Sequence, residues 1–303
     1  RGACVRCPSC LQSHFPACIS EPVVKIHKDC LMGVKALCTR SIYECPHMGL
    51  LFTHPALSAS DLASIYSSNA ALRTERGGTG AISRSKQQLE FLMHHVEHLL
   101  ATNITVVDVG CGDDYTLRNL HGHRGNATGG ESRRRLMCYQ PSATGGGHSQ
   151  QGVTRYHTRV NAAHVGVTIE TVHALFDPPV HRASFGSIDL LLMSHVLEHI
   201  ADVCSFLTTL HRSMAAGGIV FVEVPLQQAA FLRKKARGWR GGFAHVTFPS
   251  ERALLLLFEA TGFQLGVMQR MPAHVPRGQG QLRASSSTTD GKAGDVVRAI
   301  FFR

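Results

Sequence analysis

The sequence is poor in aromatic residues and has no long apolar run. Aromatic side chains make up 7% of the 303 residues, with a single Trp, and the longest uninterrupted apolar run covers only residues 253–258. A helix that spans a membrane needs about 20 consecutive apolar residues. The sequence therefore predicts no transmembrane helix.

Acidic residues are also scarce. The chain has 21 Asp and Glu against 31 Lys and Arg, which gives a net charge of +10. Such an excess favours anionic partners, including nucleic acid and phosphorylated substrates, although a merely basic surface explains it equally well. Two runs, 133–135 and 233–240, concentrate the charge. Neither is interleaved with the aromatic residues on which bases stack, so nucleic acid is a possible but not a favoured partner.

Cysteine is almost absent after residue 45. Seven of the ten cysteines lie at or before this position, and only Cys111, Cys138 and Cys204 follow it. The pair Cys7 and Cys10 has the two-residue spacing of a zinc knuckle, in which two thiolates bind one tetrahedral ion. A disulfide framework suits a small secreted domain, whereas the rest of this chain resembles an intracellular enzyme core. We expect a separate module over 1–55, a second domain over 56–303 and a cytoplasmic protein.

After residue 100, segments with strand and helix patterns alternate. The predicted strands cover 104–109, 136–139, 167–172, 188–193, 219–224, 263–271 and 296–302, and the clearest helices 85–100, 196–215 and 250–261. Alternation of this kind is typical of a mostly parallel sheet with helices on both faces. The fold prediction is thus an α/β, seven-stranded, doubly wound Rossmann-like sheet.

A glycine turn follows the first of these strands. Asp108-Val109-Gly110-Cys111-Gly112 lets the backbone approach a ligand, and the N-terminus of the next helix favours an anionic group there. This segment resembles the first motif of class I S-adenosylmethionine-dependent methyltransferases. Segments at 139–142, 188–199, 216–225 and 245–263 resemble later motifs of that family in the same order.

The resemblance implies a cofactor site and a reaction. The implied residues for S-adenosylmethionine are Asp108, Gly110, Cys111, Gly112, Gln140, Asp177 and His195. Two positions depart from the family: Asp114 stands where a third glycine is usual, and Gln140 where an acidic residue holds the ribose. The expected reaction is methyl transfer to an O, N or C nucleophile of a small molecule. A non-catalytic methyltransferase-like binding protein and a nucleic-acid methyltransferase are the alternatives.

The same resemblance points to two proton-handling histidines. His199 lies in a Leu-Glu-His segment and His245 in a His-x-x-Phe segment, and an imidazole can accept a substrate proton near neutral pH. Some ubiquinone-pathway O-methyltransferases hold a divalent cation with acidic and His residues in this region. His195 stands where those enzymes have a Glu.

Residues 45–52 resemble the hairpin of the zinc ribbon that precedes many methyltransferases of this group, including sugar C-methyltransferases. Met48 occupies the position of the fourth cysteine, and His47 beside it could replace that ligand. We therefore expect one structural zinc bound by Cys7, Cys10, Cys45 and His47.

Overall fold

Short strands begin the chain, and helices alternate with strands after residue 79. The computed structural model describes residues 5–6, 18–19, 22, 24–25, 41–55, 57, 79–100, 103–112, 114–122, 134–140, 153–160, 165–226, 245–271 and 295–303. The elements are β1 (Val5–Arg6), β2 (Cys18–Ile19), β3 (Val24–Lys25), β4 (Ser41–Glu44), β5 (Leu51–His54), α1 (Thr79–Leu100), β6 (Thr105–Val109), α2 (Tyr115–Gly122), β7 (Arg135–Tyr139), β8 (Val153–Val160), β9 (Val165–Val172), α3 (Pro178–Phe185), β10 (Ile188–Ser194), a 3₁₀ turn (Leu197–His199), α4 (Val203–Ser213), β11 (Met214–Pro225), β12 (Thr247–Phe248), α5 (Glu251–Glu259), β13 (Gln264–Met271) and β14 (Val296–Phe302).

The main sheet has eight strands in the order β13-β14-β11-β10-β6-β7-β9-β8. The central pairs β10–β6, β6–β7 and β7–β9 are parallel, with Val107 opposite both Leu191 and Met137. All seven predicted strands are present, and the Rossmann-like α/β fold is confirmed. The additional strand β8, which sequence reasoning missed, pairs antiparallel with β9 at the edge.

Apolar strands fill the centre of this sheet. Val106, Val107 and Leu191 are fully buried, as expected for parallel strands that are covered on both faces and therefore carry continuous aliphatic runs. Because these strands are held firmly by packing, the residues at their carboxyl ends have fixed positions.

The predicted helix over 196–215 is shorter in the structure. Residues Leu197–His199 form a 3₁₀ turn, and α4 begins only at Val203. The side chain of Asp202 accepts a hydrogen bond from the backbone N–H of Ser205 at 3.0 Å, which caps the helix at this point. His199 therefore lies in the turn before the helix and does not begin it.

A second, four-stranded sheet has the order β12-β5-β4-β3. The turn between β4 and β5 contains Gly49 at φ +68°, a conformation that glycine adopts without strain. β12 pairs antiparallel with β5, and the backbone N–H of Thr53 donates to the Val246 carbonyl at 2.8 Å. The N-terminal hairpin is thus joined to a strand from the C-terminal half, while a domain boundary at residue 55 stays a prediction.

The chain divides into two compact units. We call Arg1–Asp61, His195–Thr208 and Val222–Phe301 the hairpin unit, and Leu62–Ser194, Thr209–Phe221 and Phe302–Arg303 the loop unit.

Among the described residues, no helix is both long enough and apolar enough to cross a membrane.

Candidate functional site

The glycine turn of the loop unit has the geometry that its sequence predicts. Gly110 and Gly112 have φ values of 72° and 58°, in the left-handed region that favours glycine. The Gly110 N–H donates to the Tyr139 carbonyl at 2.7 Å, which fixes the turn to the end of β7. Among the described residues, no heavy atom lies within 4 Å of a Cβ atom added at Gly112. Open space therefore lies against this backbone, as a bound ligand requires.

Asp114 explains why a third glycine is usual at its position. It is one of two described non-glycine residues with a positive φ, at 52°, a conformation that costs other residues energy. Its carboxylate forms an ion pair with Arg118, one helical turn further along. Sequence reasoning identified the carboxylate but missed this counterion, which offsets the negative charge next to the turn.

Asp108 is a buried carboxyl group that has no such counterion among the described residues. Its exposure is only 6%. Burial, and secondarily the negative charge of Asp114, raise the pKa of Asp108 to about 8. The side chain is thus mostly protonated at neutral pH, and a cation placed beside it would favour the ionised form.

Gln140 follows β7 and offers an acceptor toward a ligand. Its backbone N–H donates to the Val172 carbonyl at 3.1 Å, so the residue itself is held in place. Its side-chain Oε1 is buried and has no hydrogen-bond partner among the described residues. A buried amide oxygen of this kind needs a donor, and a ribose hydroxyl would supply one.

Aromatic side chains pack around Tyr139, the residue before Gln140. The Tyr139 hydroxyl lies 2.7 Å from Nδ1 of His181, and burial lowers the pKa of His181 to about 4, with a smaller contribution from Arg135. Phe176 packs edge-on against Tyr139 at 4.9 Å. Asp177, next to Phe176, is exposed and caps α3 through its carbonyl, which accepts the His181 N–H at 2.9 Å.

A cluster of ionisable side chains lies in the hairpin unit. His195 directly follows β10, and Glu223 lies near the carboxyl end of β11. We call this group the carboxylate–imidazole cluster: Glu198, Glu223, His195, His199, His245 and Arg298. His195 has a φ of 55°, and its backbone N–H donates to the Glu223 carbonyl at 2.8 Å. Its ring bridges the two carboxylates, with Nδ1 3.2 Å from Glu198 Oε1 and Nε2 3.5 Å from Glu223 Oε1. His195, which was predicted among the cofactor residues, thus lies in this cluster.

The two predicted proton-handling histidines come together here. Nε2 of His245 lies 3.8 Å from Oε1 of Glu198, and the His199 and His245 rings meet edge to face at 4.8 Å. The position of His245 depends on the next residue, because the Val246 N–H donates to the Glu198 carbonyl at 2.7 Å. Glu198 itself is fully buried.

Arg298 completes the cluster from β14. Its Nε donates to Glu223 Oε2 at 2.5 Å, and both side chains are buried. Sequence reasoning missed both residues. The available signal was a single charged residue inside each of two otherwise apolar strands, since buried charges are normally paired.

The pKa values reflect this pairing. Burial opposes ionisation of Glu223, but hydrogen bonds and charges from His195 and Arg298 outweigh it and lower the pKa to about 2. Glu198 is also buried, yet its hydrogen bond from His195 and the nearby imidazoles lower its pKa. Burial likewise opposes the charged form of His195, whereas hydrogen bonds to the two carboxylates raise its pKa to about 9. His195 is therefore an imidazolium at neutral pH.

Glu198, His199 and His245 also have the spacing of metal ligands. One oxygen and two ring nitrogens lie within 4.8 Å of one another, and imidazole with carboxylate suits several divalent cations. His195 argues against that use, because its positive charge already faces Glu198. The cluster thus supplies its own cation, His195, at the carboxylate that a metal ion would bind.

The predicted zinc ligands are described only in part. Cys45 is buried and His47 is exposed, while Met48 is only 1% exposed. Cys7 and Cys10 lie outside the described residues.

Comparison with known proteins identifies the family. Residues 84–266, more than half of the chain, match the family described as a methyltransferase domain. The structure is similar to magnesium protoporphyrin IX methyltransferase (ChlM) from Synechocystis PCC 6803 with bound SAM, at 12% identity over 82% of this chain and 99% of that one, with a TM-score of 0.49. It is also similar to N-methyltransferase NodS from Bradyrhizobium japonicum WM9 with bound S-adenosyl-L-homocysteine, at 14% identity over 75% and 88% of the two chains, with a TM-score of 0.42. No curated protein sequence matches the chain. The chain belongs to the methyltransferase domain family, and the predicted enzyme class, an S-adenosylmethionine-dependent methyltransferase, is confirmed.

Proposed function

We propose that this enzyme methylates an O, N or C nucleophile of a small molecule and that the carboxylate–imidazole cluster accepts the proton which the nucleophile loses. The observation that carries the proposal is the approach of His245 to a fully buried Glu198, with Nε2 and Oε1 3.8 Å apart. A carboxylate beside an imidazole orients the ring and stabilises the imidazolium that forms on protonation.

The loop unit provides the residues for S-adenosylmethionine. Asp108 would face a cationic group of the cofactor, the backbone of Gly110 and Gly112 would lie along its amino-acid end, and Gln140 Oε1 would accept a ribose hydroxyl. The buried acceptor of Gln140 and the open space at Gly112 fit such a ligand. Cys111, Asp177 and His195 stay predicted members of this set. When bound, the cofactor supplies an electrophilic methyl group to the acceptor.

The hairpin unit provides proton handling. Two carboxylates, Glu198 and Glu223, are balanced by the imidazolium of His195 and by Arg298. In this arrangement a proton that reaches His245 or His199 adds charge directly beside Glu198. Since Glu198 is buried in a medium of low polarity, its attraction for that charge is stronger than it would be in water.

Two arginines of the basic run 133–135 favour a small molecule over nucleic acid as the methyl acceptor, because their guanidinium groups bind other groups of the protein. Arg135 donates to the Glu170 carboxylate at 3.0 Å and to the Phe185 carbonyl at 3.2 Å. Arg134 donates to the Leu120 carbonyl at 2.5 Å. These guanidinium groups are committed to contacts within the protein, and the second basic run lies outside the described residues.

The variant His245→Ala tests the proton-acceptor role. With a panel of small hydroxyl, amine and carbon nucleophiles, we expect formation of S-adenosylhomocysteine to fall by about 100-fold, the usual contribution of a general base. Calorimetric affinity for S-adenosylmethionine should change by less than about twofold, because His245 is not among the residues proposed to hold the cofactor. The matched control is His98→Ala, at an exposed histidine of α1, which should keep full turnover. Unchanged turnover in His245→Ala would contradict the role, and a joint loss of cofactor affinity would show that His245 shapes the cofactor site.

We also propose one structural zinc, bound by Cys7, Cys10, Cys45 and His47. The tight turn that carries Cys45 supports it: the Cys45 N–H donates to the Leu50 carbonyl, and the Gly49 N–H to the Cys45 carbonyl, both at 2.8 Å. Elemental analysis of the purified chain should find about one zinc ion, and Cys45→Ser should lose it. A folded chain without zinc would contradict the proposal.

A further inference from the structure

Two cysteines lie side by side between the glycine turn and the neighbouring strand. Cys111 lies between Gly110 and Gly112, and its sulfur lies next to that of Cys138 in β7. The two Cα atoms are 5.6 Å apart, within the range of about 4.4–6.8 Å usual for disulfides. Neither residue belongs to the N-terminal group of cysteines.

A bond between these two sulfurs would restrict the backbone of the glycine turn. Cys138 pairs in register with Asp108, the buried carboxyl residue at the start of the motif, and the Gly110 N–H is bonded to the Tyr139 carbonyl at 2.7 Å. A covalent link between the two sulfurs would join this backbone hydrogen bond in fastening the same three-residue turn to β7. When the covalent link is absent, the hydrogen bond alone must hold a turn that contains two glycines, the residue type with the greatest backbone freedom.

We propose that Cys111 and Cys138 form a reversible disulfide whose oxidation state sets the affinity of the glycine turn for S-adenosylmethionine. This inference rests on the proposed function, in which the turn holds the cofactor. Oxidation holds Gly110 and Gly112 in the ligand-ready conformation, so binding loses less conformational freedom. Reduction releases the turn and weakens binding.

The exchange balances with a low-molecular-weight disulfide such as oxidised glutathione. Cys111 is partly exposed whereas Cys138 is 1% exposed, so the Cys111 thiolate attacks first. Its sulfur forms a mixed disulfide with one glutathione and releases the other as a thiol. The Cys138 thiolate then attacks the Cys111 sulfur and releases the second glutathione thiol. Two electrons pass from the two cysteines to oxidised glutathione, and their two protons remain on the released thiols.

Calorimetric titration of the full chain with S-adenosylmethionine tests this inference. We expect affinity to be about threefold to tenfold higher in oxidised glutathione than after treatment with a phosphine reductant, the gain expected from ordering one short turn. Mass spectrometry of thiol-trapped peptides should show the Cys111–Cys138 link in the first buffer and two blocked thiols in the second.

Two variants separate this pair from the other cysteines. Cys138→Ser should bind the cofactor with the affinity of the reduced wild type in both buffers. Cys204 is also disulfide-bonded, and Cys204→Ser should keep the response to redox state.

Three outcomes would overturn the inference. Equal affinity in both buffers, while the link is shown to form and break, would remove the control function, and tighter binding in the reduced state would do the same. Failure of the link to form in oxidised glutathione would show that the pair is not redox-active. If neither state binds S-adenosylmethionine, the proposed cofactor site itself is wrong, and that result is distinct from a loss of redox response.

Discussion

Buried carboxyl groups in the two units differ in how their charge is compensated. In the loop unit, burial and Asp114 raise the pKa of Asp108 to about 8. In the hairpin unit, Glu223 is equally buried, but His195 and Arg298 lower its pKa to about 2. The residue types are nearly identical and the burial is similar, so the difference comes from cations inside the protein.

This contrast distinguishes the two regions by how their charges are balanced. The carboxylate–imidazole cluster is already neutralised and can hold a fixed geometry without a ligand. Asp108, at the start of the glycine turn, has no compensating cation in the part of the chain that the structure describes, and a ligand that carries a positive charge would supply one. S-adenosylmethionine carries both an ammonium and a sulfonium group, which gives the loop unit an electrostatic reason to prefer it.

The largest effect should come from filling the turn. Gly110→Arg places a long side chain where the backbone approaches the ligand and forces a left-handed conformation on a residue with a Cβ. We expect calorimetry to detect no S-adenosylmethionine binding, a loss of at least about 100-fold. The matched control is Gly186→Arg, at a glycine with φ +92° and nothing within 4 Å of an added Cβ, which should bind normally. Binding by Gly110→Arg would show that the turn is not the cofactor site.

Removing the internal cation of the cluster should reduce stability. Arg298→Met leaves Glu223 buried without its closest counterion, and we expect a loss of about 3 kcal/mol in the free energy of unfolding, measured by denaturant titration. Arg270→Met is the control, because Arg270 pairs with Asp295 at 3.0 Å where both side chains are partly exposed. That change should cost less than about 1 kcal/mol. Equal losses in the two variants would contradict a special role for burial in the Arg298 pair.

A smaller effect should appear in the pH dependence of cofactor affinity. The pKa of Asp108 is about 8 in the free chain, and a bound cation would lower it, so binding below pH 8 releases a proton. Affinity should therefore rise with pH by at most about tenfold per unit between pH 6 and 8, and level off above pH 8.

Calorimetry in two buffers of different ionisation enthalpy would detect the released proton directly. Asp108→Asn should abolish the release, because the amide does not titrate. Affinity that is independent of pH in the wild type would remove Asp108 from the cation-binding role.

The features that sequence predicted well are local ones. The seven strands and the glycine turn follow from short patterns in which neighbouring residues determine the backbone. Arg118 could have been found in the same way, four residues after Asp114. Glu223 and Arg298 could not, because 75 residues separate them and only the order of strands in the sheet brings them together.

The beginning of α4 is a local feature that the sequence pattern did not predict. Apolar periodicity alone extends the helix back to residue 196, whereas the cap at Asp202 and the left-handed backbone of His195 stop it earlier. The 3₁₀ turn that results brings His199 next to His245. Patterns of hydrophobicity do not contain that information, since it depends on one side-chain hydrogen bond and one unusual φ value.

The pairing of β5 with β12 has a consequence for modularity. The family match covers residues 84–266, but the strand that holds Val246 and Thr247 in place is β5, at Leu51–His54. His245 immediately precedes this pairing. Its position therefore depends on the N-terminal hairpin as well as on the domain that contains it. Transplanting the matched region alone onto another N-terminus would leave the backbone groups of β12 without their partners in β5, and the segment around His245 would have to be redesigned together with the hairpin.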